Sequence, residues 1–164
     1  MRIVIVSFGK LKTAGMRLAA DHYLKALCAW HEAQEVELRA IAVPDKSEAT
    51  RHLVQAKETE ALFSVLARRK VGLSALYLLD ETGKARPSSG WAKLLKDDEE
   101  RSVQELVFCI GSSLGFSEEA RSRADGLLSF GPQTLPHELV RVVLLEQLFR
   151  AASINHGHPY HNEG

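Results

Sequence analysis

The sequence has few of the residues that mark a specialised scaffold. Only two of its 164 residues are cysteine, Cys28 and Cys109, and each lies within an apolar pattern far from the other. This excludes a disulfide-rich scaffold and favours a reduced, cytoplasmic protein with buried thiols. No apolar run approaches the roughly 20 residues that span a bilayer. The first residues, MRIVIVSFGK, predict a strand and not a signal peptide, because no small-residue cleavage site follows them.

The chain also lacks a net charge. Its 21 Lys and Arg residues balance 21 Asp and Glu residues, which argues against strong non-specific attraction to nucleic acid or to an anionic membrane. Residues 1–70 nevertheless contain twelve basic and eight acidic residues, against nine and thirteen in residues 71–164. Ordinary surface variation accounts for such a difference. If the chain binds nucleic acid, we expect the contact in the N-terminal half.

Apolar periodicity predicts five strands that alternate with helices. The strands are expected at residues 2–8, 36–43, 74–80, 105–111 and 126–130, with ETGK as a turn after the third. Helices are expected over 13–32, from a Ser47 cap to about Lys70, after Ser88–Ser89, after Ser117, and from Pro136 onward. With no linker or repeat, the pattern predicts one α/β domain over residues 1–164. Its five-stranded parallel sheet is covered by helices on both faces.

The last helix has almost no polar face. Its apolar residues are Leu139, Val140, Val142, Val143, Leu144, Leu145, Leu148, Phe149, Ala151, Ala152 and Ile154. A helix that is apolar all round has to be covered on both sides, and the sheet covers one of them. We therefore expect a second subunit to cover the other side, which makes the protein a homodimer. The alternative is that the helix lies at the centre of a larger monomer, but a chain of this length cannot easily surround a central helix.

Standard nucleotide-binding motifs are absent. GSSLG (111–115) follows a strand and precedes a helix, as phosphate loops do, but it matches neither G-x-G-x-x-G nor a P-loop. SFGKLK after the first strand has a single glycine. Dinucleotide and ATP folds are therefore disfavoured. Two turn glycines without a ligand remain the alternative for Gly111 and Gly115.

The C-terminal histidines invite a metal interpretation. His156, His158 and His161 form H-x-H-x-x-H, and imidazole is a common metal ligand. The only carboxylate or thiolate close by is Glu163, so we expect no metal site. A serine-hydrolase elbow is also absent. Glu146 and Arg150, four residues apart, are either a surface ion pair or polar groups satisfied at an interface, and for Glu146 the second interpretation is favoured.

Four segments together resemble the RlmH family of SPOUT-class methyltransferases. They are FGKLK after the first strand, LLDETGK after the third, IGSSLG after the fourth, and TLPHELVRVVLLEQLFRA followed by HPYH. The resemblance covers essentially the whole chain, and the last segment is the most specific. It implies a homodimer with a C-terminal trefoil knot, an exception to the rule that chains do not thread loops. It also implies N3-methylation of pseudouridine 1915 in helix 69 of 23S rRNA, on the assembled ribosome, with S-adenosylmethionine as cofactor.

The same resemblance assigns cofactor residues. It implies contacts from Leu79 at the end of the third strand and Gly111 after the fourth. A stretch that wraps the adenosine through backbone groups comprises Phe130, Gly131, Pro132, Gln133, Thr134 and Leu135. The chain departs from the family pattern at Ser112, where a second glycine is usual, and at Gly131–Pro132. Neither departure removes a chemical group.

The resemblance also places catalysis in the HPYH tail. The acceptor is an imide nitrogen that loses a proton, so a base that titrates near neutrality suits the reaction. We expect His161 to be that base, Tyr160 to stack on or hydrogen-bond the pseudouridine, and Arg150 to hold a phosphate or the developing anion. His137 is expected to be a positioning donor. The tail of one subunit is expected to complete the cofactor site of the other.

Two other functions remain open on the sequence alone. One is a catalytically silent SPOUT-like module that binds RNA. The other is a small-molecule enzyme built on a doubly wound sheet.

Overall fold

The computed structural model describes residues 1–69 and 72–161. Its strands are β1 (Arg2–Phe8), β2 (Glu32–Leu38), β3 (Ser74–Ala85), β4 (Glu105–Ile110) and β5 (Gly126–Ser129). They form one five-stranded parallel sheet, as the sequence predicts, and their order in it is β2-β1-β4-β3-β5. The helices are α1 (Ala14–Leu27), α2 (Glu48–Arg68), α3 (Ser88–Glu100), α4 (Glu118–Arg123) and α5 (His137–Asn155).

Helices cover both faces of the sheet. On one face α5 lies between α1 and α3, and on the other face α2 and α4 pack. Alternate residues of the inner strand β1 point to opposite faces, so Ile3 and Ile5 join the first core, whereas Val4 and Val6 join the second. The prediction of a parallel sheet covered on both sides is confirmed.

The predicted boundaries around β2 are wrong. The first helix ends at Leu27 and not at residue 32, and β2 begins at Glu32, four residues earlier than expected. β2 is an edge strand that pairs only with β1 and stays partly exposed. Polar residues are tolerated there, so the apolar run at 40–43, which the sequence suggested as strand, is instead loop.

The predicted turn at ETGK is also wrong, because β3 continues through it to Ala85. Its pairing with β5 shifts register, so that Leu79 and Lys84 both lie opposite Leu128. A Cβ at Gly83 would lie 2.6 Å from the backbone N and C of Leu128. The two backbones therefore touch at this point. The trefoil knot stays a prediction.

Three of the four predicted helix starts after α1 are observed. Ser47 and Ser117 accept hydrogen bonds from the backbone N–H groups of Thr50 and Ala120, and α5 begins directly after Pro136. The prediction that Ser88 and Ser89 cap the next helix is wrong, because the N-cap is Pro87 and both serines lie inside α3. α2 ends at Arg68, so its expected end at Lys70 lies outside the described residues.

The cysteines differ in their environments. Both are free thiols, but Cys28 is exposed, contrary to the prediction, and only Cys109 is buried. Burial raises the pKa of Cys109 well above its ordinary value. None of the helices in the described ranges is long and apolar enough to cross a membrane.

Candidate active site

A pocket of about 490 Å³ opens at the carboxyl edge of the sheet. Residues 79–81 of β3 and the loops that follow β4 and β5 form its walls, and the first turn of α5 closes it. Open α/β sheets bind ligands at this edge, and the volume lies within the range of small-molecule sites. The geometry therefore suits a ligand of cofactor size.

Seven of the eight predicted cofactor residues line this pocket. They are Leu79, Gly111, Phe130, Gly131, Gln133, Thr134 and Leu135. Pro132 is not among the lining residues. Within the described chain, the backbone N–H groups of residues 133–135 donate to no protein acceptor, so a ligand can take them. Their role in binding stays a prediction, which this placement favours.

Two glycines shape the pocket wall. A Cβ at Gly111 would lie 3.1 Å from Cζ of Phe116, whose ring also lines the pocket. Gly131 has a φ of +116°, a conformation that favours glycine. Ser129 braces this turn, because its hydroxyl accepts from the Gly131 N–H at 3.0 Å and donates to the Gly131 carbonyl at 2.9 Å. Larger residues at either glycine would disturb the wall.

A polar stripe on α2 holds the loop between β4 and α4. Gln55 donates from Nε2 to the Leu114 carbonyl at 2.8 Å, and the hydroxyls of Thr59 and Ser117 are 2.7 Å apart. Gln55 and Thr59 are both buried. This stripe was not predicted, because apolar periodicity marks only the apolar side of a helix. The four-residue spacing of the two buried polar side chains was the available signal.

Glu58 belongs to the same stripe and contacts the position where the chain departs from the family pattern. Its Oε2 accepts a hydrogen bond of 2.9 Å from the Ser112 hydroxyl. Its Oε1 is buried without a partner among the described residues. Burial raises the pKa of Glu58, and the Ser112 hydrogen bond offsets only part of this increase. Ser112 therefore has a structural partner that a glycine would leave unsatisfied.

An ion pair forms another part of the pocket wall. The Asp80 carboxylate accepts from Thr82 and lies 2.9 Å from Nη2 of Arg121. Burial alone would raise the pKa of Asp80, but the hydrogen bonds from Thr82 and Arg121 outweigh it, so the pKa is lowered. The carboxylate therefore stays charged and neutralises the guanidinium beside the ligand space.

The predicted catalytic side chains form a second cluster near the C-terminal end of α5. Arg150 donates from Nε to Glu146 Oε1 at 2.9 Å, and the Tyr160 hydroxyl donates to the same oxygen at 3.1 Å. Arg150 Nη1 lies 3.3 Å from His161 Nδ1. The ring of Tyr160 packs on Phe149 with 4.4 Å between centroids. Glu146 is thus satisfied within one chain, where the sequence favoured an interface.

Tyr160 is held in its neutral form in this cluster. Burial raises the pKa of Tyr160, and hydrogen bonds with Tyr23 and Glu146 together with the Glu146 charge raise it further. The Arg150 guanidinium lies over the Tyr160 ring, 4.7 Å from its centre. The phenol is therefore a hydrogen-bond donor and a stacking surface, not a base.

The tail is ordered by its own chain. His156 stacks on Trp30 at 5.4 Å, His158 meets the same indole edge-on at 5.4 Å, and Trp30 stacks on Phe149 at 5.5 Å. These contacts fold the segment back against α5 and the turn between α1 and β2. Residues 162–164, including Glu163, lie outside the described chain. Among residues 1–69 and 72–161, no three His, Cys, Asp or Glu side chains group as metal ligands.

The pocket and the predicted catalytic cluster lie toward opposite ends of α5. Val140 is the last α5 residue that lines the pocket, and Arg150 follows it by ten residues. At a rise of 1.5 Å per residue, this separates them by about 15 Å along the helix. One chain alone does not bring Arg150, Tyr160 and His161 to its own pocket.

Comparison with known proteins identifies the family. A family model described as Predicted SPOUT methyltransferase matches residues 1–161. The ribosomal RNA large subunit methyltransferase H of Solidesulfovibrio magneticus is 40% identical over 96% of this chain and 97% of its own length. The chain belongs to the RlmH family of SPOUT methyltransferases. The relatives of the same name from Clostridium novyi and Streptococcus gordonii are 39% and 36% identical, each over 98% of this chain and 99% of theirs.

Membership in the RlmH family makes the chain a methyltransferase, and SPOUT methyltransferases take the methyl group from S-adenosylmethionine. Among solved structures, a probable methyltransferase from Bordetella pertussis Tohama I aligns with a TM-score of 0.49 at 14% identity, over 92% of this chain and 95% of that one.

Proposed function

We propose that this chain methylates N3 of pseudouridine 1915 in helix 69 of 23S rRNA, on the assembled ribosome. Its relatives carry the name ribosomal RNA large subunit methyltransferase H. The proposal rests on one observation above all: a cofactor-sized pocket and a cluster of Arg, Tyr and His side chains are both present in the chain. This proposed function implies that the protein acts in the cytoplasm, where ribosomes are located.

The proposal assigns the cofactor to the pocket at the carboxyl edge of the sheet. Its backbone-lined wall at residues 130–135 suits adenosine, which offers hydrogen-bonding groups at its base and ribose edges. Close packing at Gly111 leaves room for backbone approach but not for a side chain. Bound there, S-adenosylmethionine supplies an electrophilic methyl carbon.

A homodimer completes the active site in this proposal. Since about 15 Å of helix separates the pocket from Arg150 in one chain, the cluster has to serve a pocket in another chain. A two-fold axis perpendicular to α5 pairs two copies of the helix antiparallel or crossed, so that the C-terminal end of one approaches the N-terminal end of the other. Leu139 and Val143 lie one turn apart on α5 and stay partly exposed, which provides an apolar surface for that pairing.

The cluster supports the chemistry of the acceptor. N3 of pseudouridine forms a bond to the methyl carbon as the sulfur–carbon bond breaks and its electron pair stays on sulfur, so N3 has to release its proton. We assign that proton to His161. Because a guanidinium only donates, the contact with Arg150 makes Nδ1 of His161 the acceptor and places the proton of the neutral ring on Nε2. His161 thus acts as a base once the imide replaces Arg150 at Nδ1.

Arg150 and Tyr160 hold the substrate in place. A guanidinium released from His161 remains close to the acceptor, where it stabilises the negative charge that develops on the imide. Tyr160 presents a neutral ring for stacking on the base. Alignment of donor and acceptor accounts for most of the catalysis expected of this site.

Methylation of isolated ribosomes tests the proposal. We expect the wild type to add one methyl group at the imide nitrogen of the target pseudouridine, detected by mass spectrometry of digested rRNA. His161→Ala should lower turnover about 10²–10⁴-fold, with a deficit that shrinks as pH rises and the imide ionises unaided. His52→Ala, at an exposed position on α2, is the control.

Three outcomes separate the parts of the proposal. Unmethylated ribosomes after treatment with the wild type contradict the assigned function. Full turnover by His161→Ala removes the base assignment alone. Calorimetric titration with S-adenosylmethionine should give the same affinity for the wild type and for His161→Ala, since the substitution changes neither α5 nor a residue of the pocket wall.

A further inference from the structure

Buried and exposed side chains alternate in the loop between β1 and α1, Gly9–Thr13, which we name the GKLK loop. Its central residue, Leu11, is buried in the core between α1, α3 and α5. Lys10 and Lys12 on either side of it are exposed. The loop is therefore anchored through its central residue, with two ammonium groups directed outward. The proposed methyl transfer does not involve these two lysines.

The first half of the loop is held through its backbone. The Gly9 N–H donates to the Leu38 carbonyl at 2.8 Å, and the Gly9 carbonyl accepts from Arg141 Nη2 at 3.0 Å. The Leu11 N–H donates to Glu37 at 3.1 Å. Arg141 is fully buried and also pairs with Glu37 at 2.6 Å. Side chains from β2 and α5 thus fix this part of the loop.

A carboxylate from α5 holds the second half. Glu138 accepts from the backbone N–H groups of Lys12 at 2.9 Å and Thr13 at 3.1 Å, one on each oxygen. Residues 136 and 137, which immediately precede Glu138, line the cofactor pocket. The GKLK loop is therefore rigid and lies beside the pocket.

The cations of this region have no acidic partners of their own. The two carboxylates at the loop, Glu37 and Glu138, are directed at backbone N–H groups and at Arg141. Among the described residues, Lys10, Lys12 and Arg39 form no ion pair within 4.0 Å. Arg39 is exposed and follows Leu38, the residue whose carbonyl receives the Gly9 N–H. Three outward cations thus lie together at the carboxyl edge of the sheet.

We propose that the GKLK loop and Arg39 bind the phosphate backbone of the RNA substrate beside the active site. This inference rests on the proposed function, because it assigns the substrate's position at that same site. The protein has no net charge, so its attraction to RNA has to come from a local group of cations. A loop whose backbone is already fixed loses little conformational entropy when its lysines contact phosphate. The position agrees with the basic excess in residues 1–70.

The test compares the double variant Lys10→Gln/Lys12→Gln with the wild type over a range of salt concentrations. Each phosphate contact contributes about 0.7–0.9 to the slope of log affinity against log salt. We expect the variant to lower kcat/KM for ribosome methylation and to flatten its salt dependence by about that amount per lysine. Affinity for S-adenosylmethionine and the free energy of unfolding should not change, because both side chains are exposed.

Lys57→Gln/Lys96→Gln is the matched control, since these two lysines are exposed on α2 and α3 and form no ion pair in the described chain. An unchanged salt slope in the GKLK-loop variant, or an equal loss in the control, overturns the inference. Binding of an RNA hairpin, measured by filter retention with the same variants, provides a readout that does not need turnover. If the wild type binds RNA but leaves ribosomes unmethylated, the proposed function fails, and the salt slope of binding still decides the role of the loop.

Discussion

Gly83 is a single residue at which the fold depends on the absence of a side chain. It lies in the part of β3 that follows the register shift, with the backbone of Leu127–Leu128 less than 3 Å from where a Cβ would be. Because backbone atoms cannot rotate away, Gly83→Ala should lower the free energy of unfolding by about 1–3 kcal/mol or more. Denaturation in urea measures this change.

Gly15→Ala is the control for Gly83→Ala. Beyond its chain neighbours and its own helix backbone, no atom of the described residues lies within 4 Å of a Cβ at Gly15, in the first turn of α1. Alanine there should stabilise the protein by about 0.4–1 kcal/mol, because it reduces the entropy of the unfolded chain. Equal stability of Gly83→Ala and the wild type would mean that β3 and β5 separate easily at this point.

Glu138 makes the GKLK loop sensitive to acid. Hydrogen bonds from Thr13 and from the backbone N–H of Lys12 lower the pKa of Glu138 to about 2. A carboxylate whose pKa is lower in the folded protein stabilises it above its unfolded value of 4.5. That contribution is lost as pH falls from about 4.5 to about 2. Glu138→Gln should therefore be less stable than the wild type at neutral pH, and the difference should close toward pH 2. A difference that persists at pH 2 would point to another cause.

Contacts between residues that are close in the sequence were predicted correctly, whereas contacts between distant residues were not. Ser47 and Ser117 are caps because each precedes its own helix, and the sequence shows this directly. Glu58 was missed because its partner, Ser112, lies 54 positions away. Apolar periodicity gives no signal for a contact between residues so far apart in the sequence. The residues assigned to the cofactor were predicted only through the family resemblance, and their role stays a prediction.

At the scale of the elements, α5 shows how apolar patterning is divided between two surfaces. Its fully buried residues, among them Leu144, Leu145 and Leu148, face the sheet, α1 and α3 of the same chain. Leu139 and Val143 lie outside this set and remain partly exposed. The sequence predicts that the helix is covered on both sides, but it does not show that neighbouring helices provide much of the cover.

Substitutions on the two faces of α5 should therefore have different effects. If α5 forms the proposed homodimer contact, Val143→Glu should shift the protein from dimer to monomer while leaving it folded, because a charge buried unpaired at that contact costs about 3–5 kcal/mol. Leu144→Glu should instead prevent folding, since Leu144 is buried within the chain. Light scattering and circular dichroism distinguish the two results. A folded wild-type monomer at micromolar concentration would contradict the homodimer.

The strand errors have a common physical origin. β2 and the extension of β3 are both stabilised by pairing with a neighbouring strand and not by an apolar pattern of their own. The buried strands β1 and β4 have continuous apolar sequences, and their predicted boundaries are correct to within one residue. Single-sequence periodicity therefore places strands that have an apolar pattern of their own well, and it misplaces segments that only pairing with a neighbour holds as strand.

At the scale of the whole molecule, the separation of the pocket from the catalytic cluster can be tested by mixing subunits. Gly111→Val should disable the pocket, because its side chain meets the Phe116 ring, and His161→Ala should disable the tail. A mixed dimer of the two variants contains one pocket and one tail that are intact, on different chains. If each site combines a pocket with the partner's tail, one site works, and the mixed dimer has about half of the wild-type activity.

The opposite arrangement gives a clear contrast. If each chain used its own tail, both sites of the mixed dimer would carry one defect, and methylation would stay at the level of the two parent homodimers. Differently tagged subunits, expressed together and purified over both tags, yield the mixed dimer for a ribosome methylation assay. We expect activity to reappear only in this fraction, because about 15 Å of α5 lies between Val140 and Arg150 of one chain and only a second chain can close that distance.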